Sequence, residues 1–154
     1  MITLSADVIH LLQGKTLATA ESCTGGGIGG ALTSVPGSSS VYVGGIISYT
    51  NQVKNMLLEV PCELLERCGA VSAVVAEHMA RGVKKRLCAD IGLSVTGLAG
   101  PGGDEYGNPV GTVYIGYCDD SCCISRQFLF DGDRESVRFQ AIEHALKIVL
   151  ELNG

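Results

Sequence analysis

Apolar positions recur at helical spacing in some stretches of the chain and run together or alternate in others, which separates helices from strands. Helices are predicted over residues 3–14, 24–34, 52–58, 61–67, 73–87 and 134–152, and strands over residues 16–21, 45–49, 90–96, 110–117 and 123–130. The strands are interleaved with helices, and the last two form a hairpin. This order predicts one α/β domain spanning residues 1–154, a three-layer α/β/α sandwich with a mixed sheet.

Composition and charge narrow the classes of partner. Of 154 residues, 46% are hydrophobic and 18% are charged, so a packed core is expected. The net charge is −5 and aromatic residues make up 5%, which disfavours nucleic acid as a partner. No apolar run reaches the ~20 residues of a membrane-spanning helix, so no membrane partner is expected.

Cysteine usage indicates a reducing compartment. The chain has seven cysteines, but they form no C-x-x-C pair, and no signal peptide precedes them. Three of them surround the predicted hairpin turn without a histidine that would complete a zinc set. We therefore expect free thiols, a cytoplasmic protein, and neither a metal site nor a cofactor.

The segment Ala20–Gly27, with sequence AESCTGGG, links the first strand to a helix rich in small residues. Ser22 falls on the turn, and backbone N–H groups of the helix start follow it. Such groups bind anions or a developing oxyanion, and glycine allows a ligand to approach them closely. The segment suits a serine nucleophile, a phosphate site, or only a tight turn that packs the helix on the sheet.

Two further strand ends carry polar or glycine-rich sequence, at residues 49–51 and 96–104. Ligands of open α/β sheets bind beyond the carboxyl ends of strands, so we expect these segments to converge with Ser22. If Asn51 caps the next helix, Lys54 takes its third position, where the helix dipole lowers the pKa of the amine, and exclusion of water from the site would lower it further. A neutral Lys54 is a candidate base for Ser22, with Tyr49 as a proton relay. The alternative is an ordinary surface lysine and a half-buried tyrosine.

Other candidate groups are less well placed. His10, His78 and His144 lie within predicted helices rather than at strand ends, which disfavours a histidine-based triad. Arg134 begins the last helix, and we expect Asp131 or Asp133 to pair with it rather than a substrate phosphate.

Ordered motifs along nearly the whole chain resemble the CinA C-terminal domain family. They are Ala20–Gly26, Pro36–Ser39, Ser48–Asn51 with Lys54, Gly69–Ser72, Thr96–Gly103, Pro109–Val113 and Gly132–Arg134. The family it resembles includes enzymes that hydrolyse the amide of nicotinamide mononucleotide, giving nicotinic acid mononucleotide and ammonia. The resemblance implies Ser22 as nucleophile, Tyr49 and Lys54 as its activating partners, a nucleotide substrate and association into homo-oligomers.

Substrate contacts are assigned to both glycine-rich segments, namely Glu21, Thr24, Gly25, Gly26, Thr96, Gly97, Gly100 and Gly102. Glu21 either orients Ser22 or Lys54 or accepts from neighbouring backbone donors. The amides near Thr24–Gly26 serve either the oxyanion or a phosphate.

Gly44 and Asn108 stand where the family often has a charged residue and a lysine, so a non-catalytic nucleotide-binding module stays an alternative. A hydrolase of another small amide is the second alternative.

Overall fold

The computed structural model describes residues 1–154 and contains six α-helices and five β-strands. The helices are α1 (Ile2–Leu11), α2 (Gly27–Thr33), α3 (Asn51–Leu58), α4 (Cys62–Cys68), α5 (Ala73–Arg86) and α6 (Arg134–Asn153). The strands are β1 (Leu17–Glu21), β2 (Tyr42–Ile47), β3 (Ile91–Gly97), β4 (Thr112–Cys118) and β5 (Cys123–Leu129). No helix combines the length and apolarity needed to cross a lipid bilayer.

The five strands form one mixed sheet in the order β2-β1-β3-β4-β5. Strands β2, β1 and β3 run parallel, whereas β4 and β5 add to the sheet antiparallel as a hairpin. The carboxyl ends of β1, β2 and β3 therefore meet at one edge, which is where a ligand site of an open α/β sheet is expected.

Helices cover both faces of the sheet and bury two cores of unequal size. Helices α1, α2 and α6 close a larger core of 22 buried residues, including Val8, Ile28 and Leu146. Helices α3, α4 and α5 close a smaller core of nine buried residues, including Leu58 and Met79. The predicted three-layer sandwich with a mixed sheet is confirmed.

Two element boundaries differ from the prediction in ways that matter for the site. Helix α2 begins at Gly27 rather than at residue 24, because Gly25 and Gly26 take φ angles of +58° and +96° and form a turn. Helix α3 is capped by Thr50 rather than Asn51, since the Thr50 hydroxyl accepts from the Val53 N–H at 3.3 Å. Lys54 is thus the fourth helical residue.

The expectation that all cysteines are free thiols is wrong for one pair. The register of β4 and β5 sets Cys118 directly opposite Cys123, with their Cα atoms 4.1 Å apart, and a disulfide joins them. The other five cysteines are free: Cys23, Cys62, Cys68, Cys88 and Cys122.

Candidate active site

A cavity of about 290 Å³ opens at the edge where β1, β2 and β3 end. All three segments that the sequence predicted to converge contribute to its wall. The wall includes Ser22, Tyr49, Lys54, Thr96, Gly100 and Arg134.

Ser22 follows the last residue of β1 and is fixed by backbone contacts on both sides. Its N–H donates to the Val95 carbonyl at 3.0 Å, and its own carbonyl accepts from the Gly25 N–H at 3.1 Å. Arg138 of α6 donates from Nε to the Cys23 carbonyl at 3.0 Å and from Nη2 to the Thr24 carbonyl at 3.2 Å. The turn that carries Ser22 is therefore held by the sheet and by a distant helix. Sequence reasoning missed Arg138, because no local signal ties residue 138 to residue 23.

Lys54 reaches Ser22 from α3 and is 1% exposed. Its Nζ lies 3.1 Å from Ser22 Oγ, 2.8 Å from the Ser48 carbonyl and 3.2 Å from the Tyr49 carbonyl. Burial lowers the pKa of Lys54 to about 8. The main cause is desolvation of the charged amine rather than the helix dipole that the sequence suggested.

The three partners of Lys54 set the direction of its lone pair. An ammonium donates three hydrogen bonds, so the charged form satisfies all three acceptors. After loss of one proton, two N–H donors remain, and the carbonyls of Ser48 and Tyr49 can only accept. The lone pair of neutral Lys54 is then left for the Ser22 hydroxyl, which is the arrangement that a base needs toward a nucleophile.

Tyr49 lines the cavity, but its phenol forms no hydrogen bond with the Ser22 or Lys54 side chain. The side chain is 59% exposed, and its hydroxyl accepts from Arg134 Nη2 at 3.2 Å. Tyr49 contacts Lys54 through its backbone carbonyl instead. A proton relay through the phenol stays a prediction.

Arg134 lies in the cavity wall, contrary to the expectation that Asp131 or Asp133 pairs with it. It forms no ion pair in the structure, and its Nη1 donates to the Gly100 carbonyl at 2.6 Å. The Asp133 carboxylate instead caps α6 by accepting from the Ser136 N–H at 2.9 Å. The guanidinium charge is therefore available to a ligand.

Glu21 lies beneath the nucleophile turn rather than in the cavity wall, and it is 2% exposed. Oε1 accepts from the Thr24 hydroxyl at 2.7 Å and the Ile28 N–H at 2.8 Å. Oε2 accepts from the Gly29 N–H at 3.0 Å and the Thr19 hydroxyl at 3.3 Å. Of the two roles considered, the carboxylate has that of an acceptor for neighbouring donors, and it occupies the start of α2.

The other predicted substrate contacts divide between the two glycine-rich segments. Thr24, Gly25 and Gly26 do not line the cavity. The second segment does, through Thr96, Gly97, Gly100 and Gly102. The Thr96 hydroxyl donates to the Ala70 carbonyl at 2.9 Å, which fixes the neighbouring wall.

Competing nucleophiles and bases are absent from the cavity or inactive there. No histidine lines it, and His144 packs against the stacked rings of Phe128 and Phe130. Burial raises the pKa of the Cys23 thiol to about 11, so Cys23 is not a thiolate at neutral pH. No group of three or more His, Cys, Asp or Glu side chains is placed to hold a metal ion.

Comparison with known proteins identifies the family. The model of the CinA C-terminal domain matches residues 2–153. The chain belongs to this family. It is 51% identical over 152 residues to a CinA-like protein of Thermosynechococcus vestitus, covering 96% of this chain and 36% of that protein. A CinA-like protein of Synechocystis is 51% identical over 151 residues, covering 92% of this chain and 36% of the relative. The chain thus spans about a third of the length of these relatives.

Solved structures of the CinA superfamily share the whole fold. A superfamily protein from Klebsiella pneumoniae superposes with a TM-score of 0.95 at 33% identity, covering 97% of this chain and 95% of that chain. The competence/damage inducible protein CihA from Agrobacterium tumefaciens gives a TM-score of 0.95 at 37% identity, covering 99% and 95%.

Gly44 and Asn108, the two positions at which the sequence predicts a departure from the family, lie outside the cavity wall. Gly44 is in β2 beside the register irregularity opposite Leu17 and Ala18. The Asn108 side chain donates to the Val71 carbonyl at 3.1 Å and to the Asp104 carboxylate at 2.8 Å. Neither position removes a group from the contact between Ser22 and Lys54.

Proposed function

We propose that this CinA-family protein is an amidohydrolase that converts nicotinamide mononucleotide to nicotinic acid mononucleotide and ammonia. The observation that carries the proposal is the contact of 3.1 Å between Lys54 Nζ and Ser22 Oγ. Two carbonyls hold the remaining protons of a neutral Lys54, and burial brings its pKa to about 8, close to neutral pH.

The reaction begins with proton transfer from Ser22 to Lys54. Ser22 Oγ attacks the carbonyl carbon of the amide, and its proton passes to the Lys54 lone pair. The C–N bond then breaks, and Lys54 returns the proton to the departing nitrogen, which leaves as ammonia. A water molecule attacks the acyl-serine, Lys54 takes its proton and returns it to Ser22 Oγ, and the carboxylic acid is released.

A backbone amide beside Ser22 is available for the oxyanion. The N–H groups of Cys23, Thr24 and Gly26 donate to no acceptor within the protein. Of these three residues only Cys23 lines the cavity, so its N–H is the donor available to the oxyanion. Preorganised donors of this kind stabilise the charge that develops on the carbonyl oxygen.

The charge in the cavity supports an anionic substrate. Arg134 contributes a guanidinium without a carboxylate partner. A neighbouring depression lined by Asn51, Asp104 and Tyr106 shares Ala70, Val71 and Leu98 with the cavity, so the two spaces adjoin. A ligand larger than a free nicotinamide ring is therefore favoured.

The direct test measures ammonia release from nicotinamide mononucleotide by the purified protein and by Ser22→Ala. We expect release by the wild type and a loss of at least about 10³-fold in the variant. Ser5→Ala is the matched control, because Ser5 is also buried but its hydroxyl has no hydrogen-bond partner. Undiminished release by Ser22→Ala would remove Ser22 as the nucleophile. Absence of release by the wild type, with saturable binding of the nucleotide, would favour a binding module.

A further inference from the structure

Ser48 carries a buried hydroxyl that has no hydrogen-bond partner. The residue is 0% exposed, and its Oγ forms no hydrogen bond. Leaving a buried hydroxyl unpaired is costly, and native proteins keep few such groups. The only other buried side-chain atom of this kind is Ser5 Oγ, in α1, and Ser5 does not line the cavity. The place of Ser48 in the sheet suggests a use for its hydroxyl.

The sheet sets Ser48 beside Ser22. Glu21 of β1 pairs with Ile47 of β2, and the Ser48 N–H continues this ladder by donating to the Glu21 carbonyl at 2.9 Å. Ser22 and Ser48 are therefore the next neighbours on the two chains, and paired residues direct their side chains to the same face. Ile46, two residues before Ser48, packs on the smaller core, so this is the face that α3 covers.

Lys54 of α3 links the two serines. Its Nζ lies 3.1 Å from Ser22 Oγ and 2.8 Å from the Ser48 carbonyl, so the amine already bonds to the residue whose hydroxyl is unpaired. Rotation about χ1 of Ser48 moves its Oγ among staggered positions while the carbonyl stays in place. Ser48 does not line the cavity, so it can act on the reaction only through Lys54.

Acylation of Ser22 removes one partner of Lys54. In the acyl-serine, Ser22 Oγ carries the acyl group instead of a hydrogen, so it can no longer donate to the lone pair of neutral Lys54. The carbonyls of Ser48 and Tyr49 can only accept. A serine hydroxyl can both donate and accept, so the Ser48 side chain suits Lys54 in its neutral and in its charged form.

We propose that Ser48 is a positioning residue whose hydroxyl takes over the hydrogen bond to Lys54 while Ser22 is acylated. The amine is thereby held beside the acyl group until water arrives. The water oxygen attacks the acyl carbon, a water proton passes to Lys54, the bond from carbon to Ser22 Oγ breaks, and Lys54 returns the proton to Oγ. Ser48 changes from donor to acceptor as Lys54 becomes charged, and its own O–H bond stays intact. This inference rests on the proposed function and deepens its second half.

The test follows the two halves of the reaction separately in Ser48→Ala. Rapid quenching measures ammonia release from nicotinamide mononucleotide, and the intact mass of the quenched protein reports the acyl-serine. We expect kcat to fall about tenfold or more, because Lys54 is less well placed for hydrolysis. A burst of about one ammonia per chain should precede this slow phase, and the acyl adduct should accumulate on Ser22. The melting temperature should not fall, since the deleted hydroxyl has no partner.

Two matched variants serve as controls. Ser48→Thr keeps the hydroxyl and should restore most of kcat without accumulated adduct. Ser5→Ala deletes the other unpaired buried hydroxyl and should leave both halves of the reaction unchanged. The proposal is overturned if Ser48→Ala matches the wild type in both turnover and adduct level. It is also overturned if kcat falls without accumulated adduct, because general damage to the site would slow acylation as well.

A second substrate, p-nitrophenyl acetate, distinguishes failure of this inference from failure of the proposed function. This activated ester acetylates a reactive serine whatever its natural substrate, and Ser22→Ala supplies the background rate. If acetyl-Ser22 is hydrolysed more slowly in Ser48→Ala while the wild type releases no ammonia from the mononucleotide, Ser48 keeps its role and the amidohydrolase function fails. If ammonia is released but acetyl-Ser22 is hydrolysed equally fast in both proteins, the reverse holds. Absence of reaction with either compound overturns both.

Discussion

Replacing Lys54 by methionine should abolish most of the activity while leaving the stability at neutral pH almost unchanged. Methionine retains most of the volume but removes the base, and general-base catalysis contributes about 10²- to 10⁴-fold. We therefore expect kcat for ammonia release to fall by that factor.

The effect on stability follows from the pKa of Lys54. Burial lowers this pKa from its ordinary value of 10.5 to about 8. At about 1.4 kcal/mol per pH unit, the charged amine costs the folded state about 3 kcal/mol at neutral pH. Methionine removes this cost but also three hydrogen bonds, each contributing about 1 kcal/mol. The two effects nearly cancel.

The pH dependence of stability has a definite sign. Because the pKa of Lys54 is lower in the folded chain, the unfolded chain binds its proton more readily between about pH 8 and 10.5. The contribution of neutral Lys54 to the free energy of unfolding is complete above pH 10.5 and is lost as the pH falls through about 8. The difference in unfolding free energy between wild type and Lys54→Met should therefore shift by about 2–3 kcal/mol between pH 7 and 10.

Urea denaturation at several pH values measures this difference, and titrations common to both proteins cancel. Lys147→Met is the control, because Lys147 is a surface residue paired with Glu143 at 2.9 Å.

The wild-type kcat/KM should rise about tenfold per pH unit below about pH 8 and then level off. The reasoning is refuted if Lys54→Met keeps kcat within tenfold of the wild type, or if the stability difference does not change with pH.

Three further substitutions test residues that hold the turn and the helices around the cavity in place. Glu21→Gln should lower the free energy of unfolding by about 2–4 kcal/mol in urea denaturation, because one carboxylate oxygen becomes an NH₂ group, which cannot accept from the Ile28 or Gly29 N–H that it faces. A loss below 0.5 kcal/mol, about the size of a surface effect, would contradict this. Arg138→Met should lower kcat about tenfold with little change in KM, because the turn carrying Ser22 loses its donor. Steady-state kinetics decide, and a change confined to KM would be inconsistent with a positioning role. Asp133→Ala should cost about 1 kcal/mol in thermal unfolding, whereas Asp133→Asn keeps the cap of α6.

The sequence predicts the layers and the pairing of Ser22 with Lys54, because both follow from local patterns. Strand ends that carry glycine or polar residues indicate the edge of the site, and a helix start soon after a strand brings Lys54 near it. Desolvation is expected only as an addition to the helix dipole, yet it is the main cause of the lowered pKa of Lys54. Burial depends on how α3 packs on the sheet, which no local pattern encodes.

The contacts of Arg134 likewise depend on three-dimensional packing that no local pattern encodes. Nearby carboxylates in the sequence suggest an ion pair, but Asp133 is used as a helix cap and the guanidinium turns to Gly100. Glu21 could be placed next to Ser22 from sequence, yet its role depends on the position of the α2 amides. Roles that depend on how helices pack in three dimensions are therefore harder to predict than roles that follow from the end of a strand or the start of a helix.

The unequal size of the two cores implies that activity and folding need not be lost together. Ser22 directly follows β1, an inner strand of the sheet, whereas Lys54 is supplied by α3, which packs on the smaller core of nine buried residues. Regions that bury less apolar surface open at lower free energy than the whole domain. Partial opening of α3 would separate the base from the nucleophile while the larger core stays intact. Heating is therefore expected to inactivate the protein below its melting temperature. A ligand that contacts residues of both layers would raise the temperature of inactivation before it raises the melting temperature.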